Sequence, residues 1–182
     1  GLSCEVIVVD NGSVDQTTAI IQREAPDATL IRLGANEGPA VARNVAIGKT
    51  TGRYVLTLDH DVELTPDFVG ALVQAAEASE PQVGMWTGTI LRPDRTTIDS
   101  TGIVLTKTWR VFDRGSGTRQ LSPREKRTAI LGPSACAALY RRSMLEAIQD
   151  GQMYFDERFF FLWEDVELAW RARQRGWQAL YV

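Results

Sequence analysis

The sequence has one histidine, His60, and two cysteines, Cys4 and Cys136, in 182 residues. A lone histidine excludes a metal cluster built on histidines, and the two cysteines have no metal-ligand spacing. They read as free thiols of a reducing compartment, with one disulfide left open. No apolar run approaches the ~20 residues that a membrane-spanning helix needs, and no signal-peptide pattern is visible. Charge of one sign is missing too. The 20 basic and 23 acidic residues are interspersed and leave a net charge of −3. That excludes the basic footprint of a nucleic-acid binder. No Gly-x-Gly-x-x-Gly run marks a glycine-rich phosphate loop.

What is present is ordinary globular material, 44% hydrophobic and 24% charged, enough for one core and one domain. The chain opens at Gly1 and closes on a strand-like Ala179–Val182, so both ends read as cuts through a longer protein. Val6–Val9 is a continuous β-branched run, as in a strand covered on both faces. Asp10–Ser13 breaks it, and Asp15 or Ser13 can cap the helix that follows. Thr29–Leu33 is a second strand. Gly34–Pro39 is a loop whose proline suits the first turn of a helix running to Gly48. Tyr54–Leu58 is a third strand, followed by a helix from Thr65 to about Ser79. Alternating strands and helices predict an α/β fold with a mostly parallel central sheet flanked by helices. After Pro81 the pattern changes. Val83–Leu91 and Ile98–Phe112 read as strands, and Gly115–Arg127 as a polar, mobile loop. Its Arg119, Arg124, Lys126 and Arg127 either attract an anion or form a solvated face. Ala135–Tyr140 is apolar, Arg142 opens a short helix, and Asp165–Arg175 is a helix stopped by Gly176.

Several acids stand where chemistry collects in such a fold. Asp59-His60-Asp61 directly follows the third strand, and ligands gather at the carboxyl ends of strands in α/β sheets. Carboxylates two residues apart can grip a hard divalent cation, which can hold a diphosphate; otherwise they are loop acids. Asp10 also ends a strand. It either joins that rim or bonds nearby turn amides. Arg43, one turn inside the helix after Gly38-Pro39, can hold a phosphate or contact a base, or stand on the surface. Glu164-Asp165 follows the aromatic run Phe159–Trp163. Burial there raises a carboxyl pKa toward a general base, while the plain alternative is helix capping.

Taken together, the pieces resemble family 2 glycosyltransferases of the GT-A fold. Val8–Asp15 is similar to the family's nucleoside-binding turn. Asn36-Glu37-Gly38 through Ala42-Arg43-Asn44 is similar to its N-x-G-x-x-x-A-R-N segment, and Leu58–Asp61 to its D-x-D. Phe155–Phe160 leading to Trp163–Leu168 resembles its acceptor-side Glu-Asp helix. With Arg171 and Gly176, that last stretch is most similar to the rhamnosyltransferase-like branch. The resemblance implies an inverting transferase using a UDP-, dTDP- or GDP-linked sugar donor and a glycan or lipid-linked acceptor. Asp10, Asn11, Gly38, Arg43 and Asp59 would bind nucleotide, and Asp59 with Asp61 would hold Mg²⁺ or Mn²⁺. Asp165 would be the general base, and Glu164 would position the acceptor or that base. Residues 1–80 would form the nucleotide-binding half and 81–182 the acceptor half. Family members usually carry one more strand and helix before Val6. Its absence raises two further expectations: a homodimer through an exposed sheet edge, and weak or no activity of this piece alone. The alternative function is a GT-A module that binds nucleotide or a partner without turnover. The resemblance also implies a cytoplasmic location, with any membrane attachment outside these residues.

Overall fold

The computed structural model of the protein describes residues 2–120 and 129–182. The first half alternates as the periodicity predicts: β1 (Ile7–Asp10), α1 (Thr17–Glu24), β2 (Thr29–Arg32), α2 (Pro39–Ile47), β3 (Tyr54–Leu58) and α3 (Phe68–Glu77). The second half runs β4 (Val83–Thr87), β5 (Ile90–Leu91), β6 (Ile98–Ser100), β7 (Ile103–Leu105), β8 (Val111–Asp113), β9 (Ala129–Ile130) and β10 (Ala137–Arg141). It ends with α4 (Arg142–Ile148), α5 (Glu164–Gln174) and β11 (Gln178–Tyr181). The two long strands expected after Pro81 are each broken into short pieces. Gly102, at φ 107°, separates β6 from β7, a conformation that a strand interior does not hold.

The main sheet has the order β3-β10-β4-β11-β9. The α/β class is as expected, but the strand directions are mixed rather than mostly parallel. β10 runs antiparallel to both β3 and β4, β11 is parallel to β4, and β9 is antiparallel to β11. The physical reason is that a strand buried on both faces reads as the same apolar run in either direction. β1 and β2 pair in parallel in a separate two-stranded sheet.

Alternation in the central strands feeds two cores. Ala138 and Tyr140 of β10 and Val55 of β3 join the large cluster that includes Ala40 and Ile47 of α2, Met144 and Leu145 of α4, and Leu168 and Ala172 of α5. Leu139 and Trp86 face the other way, onto Leu72 and Ala76 of α3. Each fully buried Leu, Ile or Met side chain among them contributes about 1.5–3 kcal/mol of transfer energy. The helices α2, α4 and α5 thus cover one face of the sheet and α3 the other. The first of these faces carries α5, whose first turn holds Glu164 and Asp165.

Local chemistry fixes the helix ends. Asp15 Oδ1 accepts from the amide of Thr17, the first residue of α1, at 2.9 Å, while the cap position itself is Gln16, which makes no side-chain capping bond. Gly38 at φ 87° turns the chain into Pro39, the first residue of α2. α5 carries Glu164, Asp165 and Glu167 in its first turn and Arg171 and Arg173 in its last, which complements the helix dipole. Arg171 also ties α5 down, donating to Glu167 Oε1 at 2.8 Å and to the Tyr154 carbonyl at 2.7 Å. Cys4 and Cys136 are free. No described helix is long and apolar enough to cross a membrane. Arg124, Lys126 and Arg127 of the expected polar loop lie outside the described residues, while Arg119 is exposed.

Candidate active site

The end of β3 is fixed by one hydrogen bond beyond the strand. The Asp59 amide donates to the Cys136 carbonyl at 2.9 Å, which extends the β3–β10 ladder to the acid itself. One residue earlier on the same approach, the Ala135 amide donates to Asp165 Oδ2 at 3.3 Å. Consecutive residues, Ala135 and Cys136, therefore hold Asp165 and Asp59 at one end of the sheet. Asp61 stands exposed on the turn beyond.

Arg43 joins the same group. Its Nη2 donates to Asp59 Oδ1 at 2.7 Å and its Nη1 to Glu164 Oε1 at 2.5 Å. Its guanidinium lies over the Phe155 ring, 5.6 Å from the centroid. Burial alone would lower the Arg43 pKa, but Asp59 and the hydrogen bonds to Asp59 and Glu164 raise it, so the side chain stays cationic. The Glu164 side chain is 8% exposed, whereas that of Asp59 is 40% exposed and open to a ligand. Glu164 Oε2 is buried and has no hydrogen-bond partner among the described residues.

Asp165 is the acid whose environment suits a base. Burial first, and then the neighbouring Glu164, raise its pKa above the ordinary carboxylate value. Beneath it, burial, and after it the charge of Asp165, push the Tyr140 hydroxyl up, so it stays neutral. Burial likewise raises the Cys136 thiol and keeps it protonated. A thiol in that state is a poor nucleophile.

Asp10 is placed differently. Its side chain is fully covered. Oδ1 accepts from the Ser13 amide at 2.9 Å, while Oδ2 accepts from Thr18 Oγ1 at 3.0 Å and Arg32 Nε at 3.3 Å. Ser13 first, then Thr18 and Arg32, hold its pKa down to about 2. The carboxylate is thus engaged in its own turn rather than presented beside Asp59. Asn11 takes the loop-facing role, accepting from the Glu37 amide at 2.9 Å and donating to the Gly38 carbonyl at 3.1 Å. Gly38 in turn packs on the carbonyl of Phe160, where a Cβ would overlap.

Two features went unassigned in the sequence. Asn44 is a buried clasp: it donates to the Phe155 carbonyl at 2.8 Å and to Glu157 Oε1 at 2.9 Å, and accepts from the amides of Tyr154 at 3.0 Å and Phe155 at 2.8 Å. Its place beside Arg43 in the Ala-Arg-Asn run was the available signal. The other is backbone strain. Leu162 at φ 68° and Trp163 at φ 75° are consecutive left-handed residues just before Glu164, a conformation disfavoured for bulky side chains. No sequence signal marks it.

The mixed sheet between helices is the fold of the GT-A glycosyltransferases. Solved structures share this fold. GalNAc-T7 in complex with UDP, GalNAc and Mn²⁺ matches at TM-score 0.70 and 14% identity, over 98% of this chain and 36% of that one. The mannosyltransferase PcManGT of Pyrobaculum calidifontis, with GDP-Man and Mn²⁺, matches at TM-score 0.62 and 21% identity, over 96% and 44%. The family model for glycosyl transferase family 2 matches residues 1–149, and the chain belongs to that family. It is 30% identical over 201 residues to the N-acetylglucosaminyl-diphospho-decaprenol L-rhamnosyltransferase of Mycobacterium tuberculosis (strain ATCC 25618 / H37Rv), covering 97% of this chain and 63% of that protein. It is also 37% identical over 86 residues to the succinoglycan biosynthesis protein ExoO of Rhizobium meliloti (strain 1021), covering 47% of this chain and 25% of that protein. The chain spans less than two thirds of the length of these relatives.

Proposed function

We propose that this chain is the catalytic domain of an inverting glycosyltransferase. It moves a sugar from a UDP-, dTDP- or GDP-linked donor to a hydroxyl of a glycan or lipid-linked acceptor. The observation that carries this reading is the placement of Asp59 and Asp165 by Ala135 and Cys136, which puts a ligand-accessible acid and a raised-pKa acid at one end of the sheet. Residues 1–80 supply the nucleotide half, with Asp10 shaping the turn and Asn11 and Gly38 setting the loop. Residues 81–182 supply the acceptor half.

The donor set suits a hard cation. Asp59 and Asp61 offer carboxylate oxygens, and among the described residues no group of three or more His, Cys, Asp or Glu gathers to hold an ion. Mg²⁺ or Mn²⁺ here would lean on one or two carboxylates and the donor's own diphosphate, a usual mode for such ions. When bound, the cation would stabilise charge on the departing diphosphate. Asp165 takes the proton of the acceptor hydroxyl. That oxygen attacks the anomeric carbon on the face opposite the diphosphate, and the bond to the diphosphate oxygen breaks. One displacement inverts the centre.

The test pairs two substitutions. Calorimetry with UDP and dTDP, with and without Mn²⁺, measures nucleotide binding, and release of nucleoside diphosphate measures transfer. Asp165→Asn is expected to abolish transfer and leave nucleotide binding nearly intact, whereas Asp61→Ala weakens Mn²⁺-dependent binding. Equal loss of nucleotide binding in both would contradict the division into donor and acceptor sites. Nucleotide binding without any turnover in the unaltered chain would instead favour a binding module.

A further inference from the structure

We propose that Thr57 is a positioning residue for the base: its hydroxyl fixes Ala135 and, through the Ala135 amide, sets where the Asp165 carboxylate stands against the sheet. This rests on the reading of Asp165 as the base. β3 reads Tyr54-Val55-Leu56-Thr57-Leu58, and Thr57 is its one aliphatic alcohol. The residue is 7% exposed. A buried hydroxyl is costly unless it is hydrogen-bonded, and valine has the same branched shape without that cost. Threonine hydroxyls commonly bond backbone close by in sequence. This one reaches across 78 residues and donates to the Ala135 carbonyl at 2.7 Å. The Ala138 carbonyl stands farther off, at 3.5 Å.

The strand register explains that reach. Thr57 stands opposite Ala138 in the β3–β10 pair, whose last ladder pair is Leu58 with Ala137. Ala135 lies just before β10, in a turn closed by the Ala137 amide on the Ser134 carbonyl at 3.3 Å. Its carbonyl is beyond the ladder, and at 1% exposure the residue has little access to water. The Thr57 hydroxyl supplies the donor. On its other side, Ala135 gives its amide to Asp165 Oδ2 at 3.3 Å. Ala135 is thus clamped between Thr57 and Asp165. Asp165 Oδ1 accepts at 2.8 Å from the Val166 amide of its own helix. Among the described residues, the Ala135 amide is therefore the hydrogen bond that ties this carboxylate to the sheet side. α5 stays packed through Leu168, Ala169 and Ala172, so loss of the hydroxyl falls on the direction of the carboxylate rather than on the helix. A turn moves more freely than a laddered strand, and displacing a base by ~1 Å costs on the order of 10²-fold in rate. Burial first and Glu164 next raise the Asp165 pKa, and the Ala135 bond opposes them.

The test compares Thr57→Val, which removes the hydroxyl and keeps the shape, with Thr57→Ser, which keeps the hydroxyl, and with Asp165→Asn, each in the full chain. Amide hydrogen exchange followed by NMR reads the clamp directly. In Thr57→Val the Ala135 amide is expected to exchange about tenfold faster while Leu139, in the middle of β10, keeps its rate. In Thr57→Ser both keep theirs. Unchanged exchange at Ala135, or equal quickening at Ala135 and Leu139, would overturn the proposal without any measurement of turnover. Release of nucleoside diphosphate from a UDP- or dTDP-linked sugar reads transfer. In Thr57→Val kcat should fall at least about tenfold, and in Thr57→Ser it should recover to within about threefold. The Kd for UDP with Mn²⁺ should stay within about twofold, because Asp59 keeps its place at the end of the β3 ladder. The acid limb of kcat/KM should move to higher pH in Thr57→Val, since the bond that opposes the raised Asp165 pKa is lost. The other groups facing Asp165 are Glu164 on its own helix, Arg43 on α2, and Cys136 and Tyr140 on β10, and none of them is altered. A loss in Thr57→Ser as large as in Thr57→Val, a tenfold or larger rise in the UDP Kd, or an unmoved acid limb would each overturn the role of Thr57. Undiminished turnover in Asp165→Asn would overturn the base reading and this role with it. Loss in Asp165→Asn with none in Thr57→Val would overturn the role of Thr57 alone.

Discussion

Asn44→Ala tests whether α2 holds the approach to the base. Asn44 is buried, and its amide uses both its donor and its acceptor side on residues 154–157. Truncation strands the Tyr154 amide, the Phe155 amide and the Phe155 carbonyl. Glu157 is exposed and can rehydrate. Phe155 itself is fully buried, so its two backbone groups have no direct access to water. At the low end of the cost of a stranded buried group, about 1 kcal/mol for each of the two Phe155 groups, the loss is about 2 kcal/mol. For a chain of this size each kcal/mol moves the melting temperature by about 2–4 °C, so the fall should be roughly 4–8 °C. Urea melts followed by circular dichroism measure the free energy, and a thermal melt checks the shift. A loss below about 1 kcal/mol, within the spread of ordinary surface substitutions and single hydrogen bonds, would refute the clasp.

Two further outcomes follow from the same geometry. Gly38→Ala places a methyl against the Phe160 carbonyl and forces a side chain into φ 87°; a destabilisation of about 1–3 kcal/mol is expected, read by urea melts, and a neutral result would show that the loop does not pack there. For pH, the Asp10 pKa is depressed to about 2 from 3.8. Its contribution to stability is therefore present above the unfolded value and is lost as pH falls through about 2. Melting temperatures should drop between about pH 4 and 2 more steeply in the unaltered chain than in Asp10→Asn, and identical slopes would contradict the assignment.

Much of the site was legible because its residues sit at element ends. Asp59 follows the apolar run Tyr54–Leu58, and Glu164-Asp165 opens an amphipathic helix, so composition alone marks where they emerge. The direction of β10 was not legible, because a doubly buried strand carries no mark of its polarity. Asp10 was open between two roles. The structure shows its carboxylate bonding its own turn, and a choice between bonding neighbours and facing a ligand depends on side-chain direction that spacing does not encode. Arg43 was readable as a cation near a helix start, but its partners lie far away in sequence.

The sequence by itself determined the α/β class, the helix and strand positions in the first half and the identity of the acids, because periodicity and turn chemistry are local. The tertiary structure decided which acids meet. Ala135 and Cys136, through two backbone amide–oxygen contacts, hold Asp165 and Asp59 at one sheet end, and Arg43 closes the circuit between Asp59 and Glu164. Those pairings exist only once β10 is inserted between β3 and β4 and α5 is packed over them. They depend on which distant segments are brought into register, and no local pattern of residues carries that information.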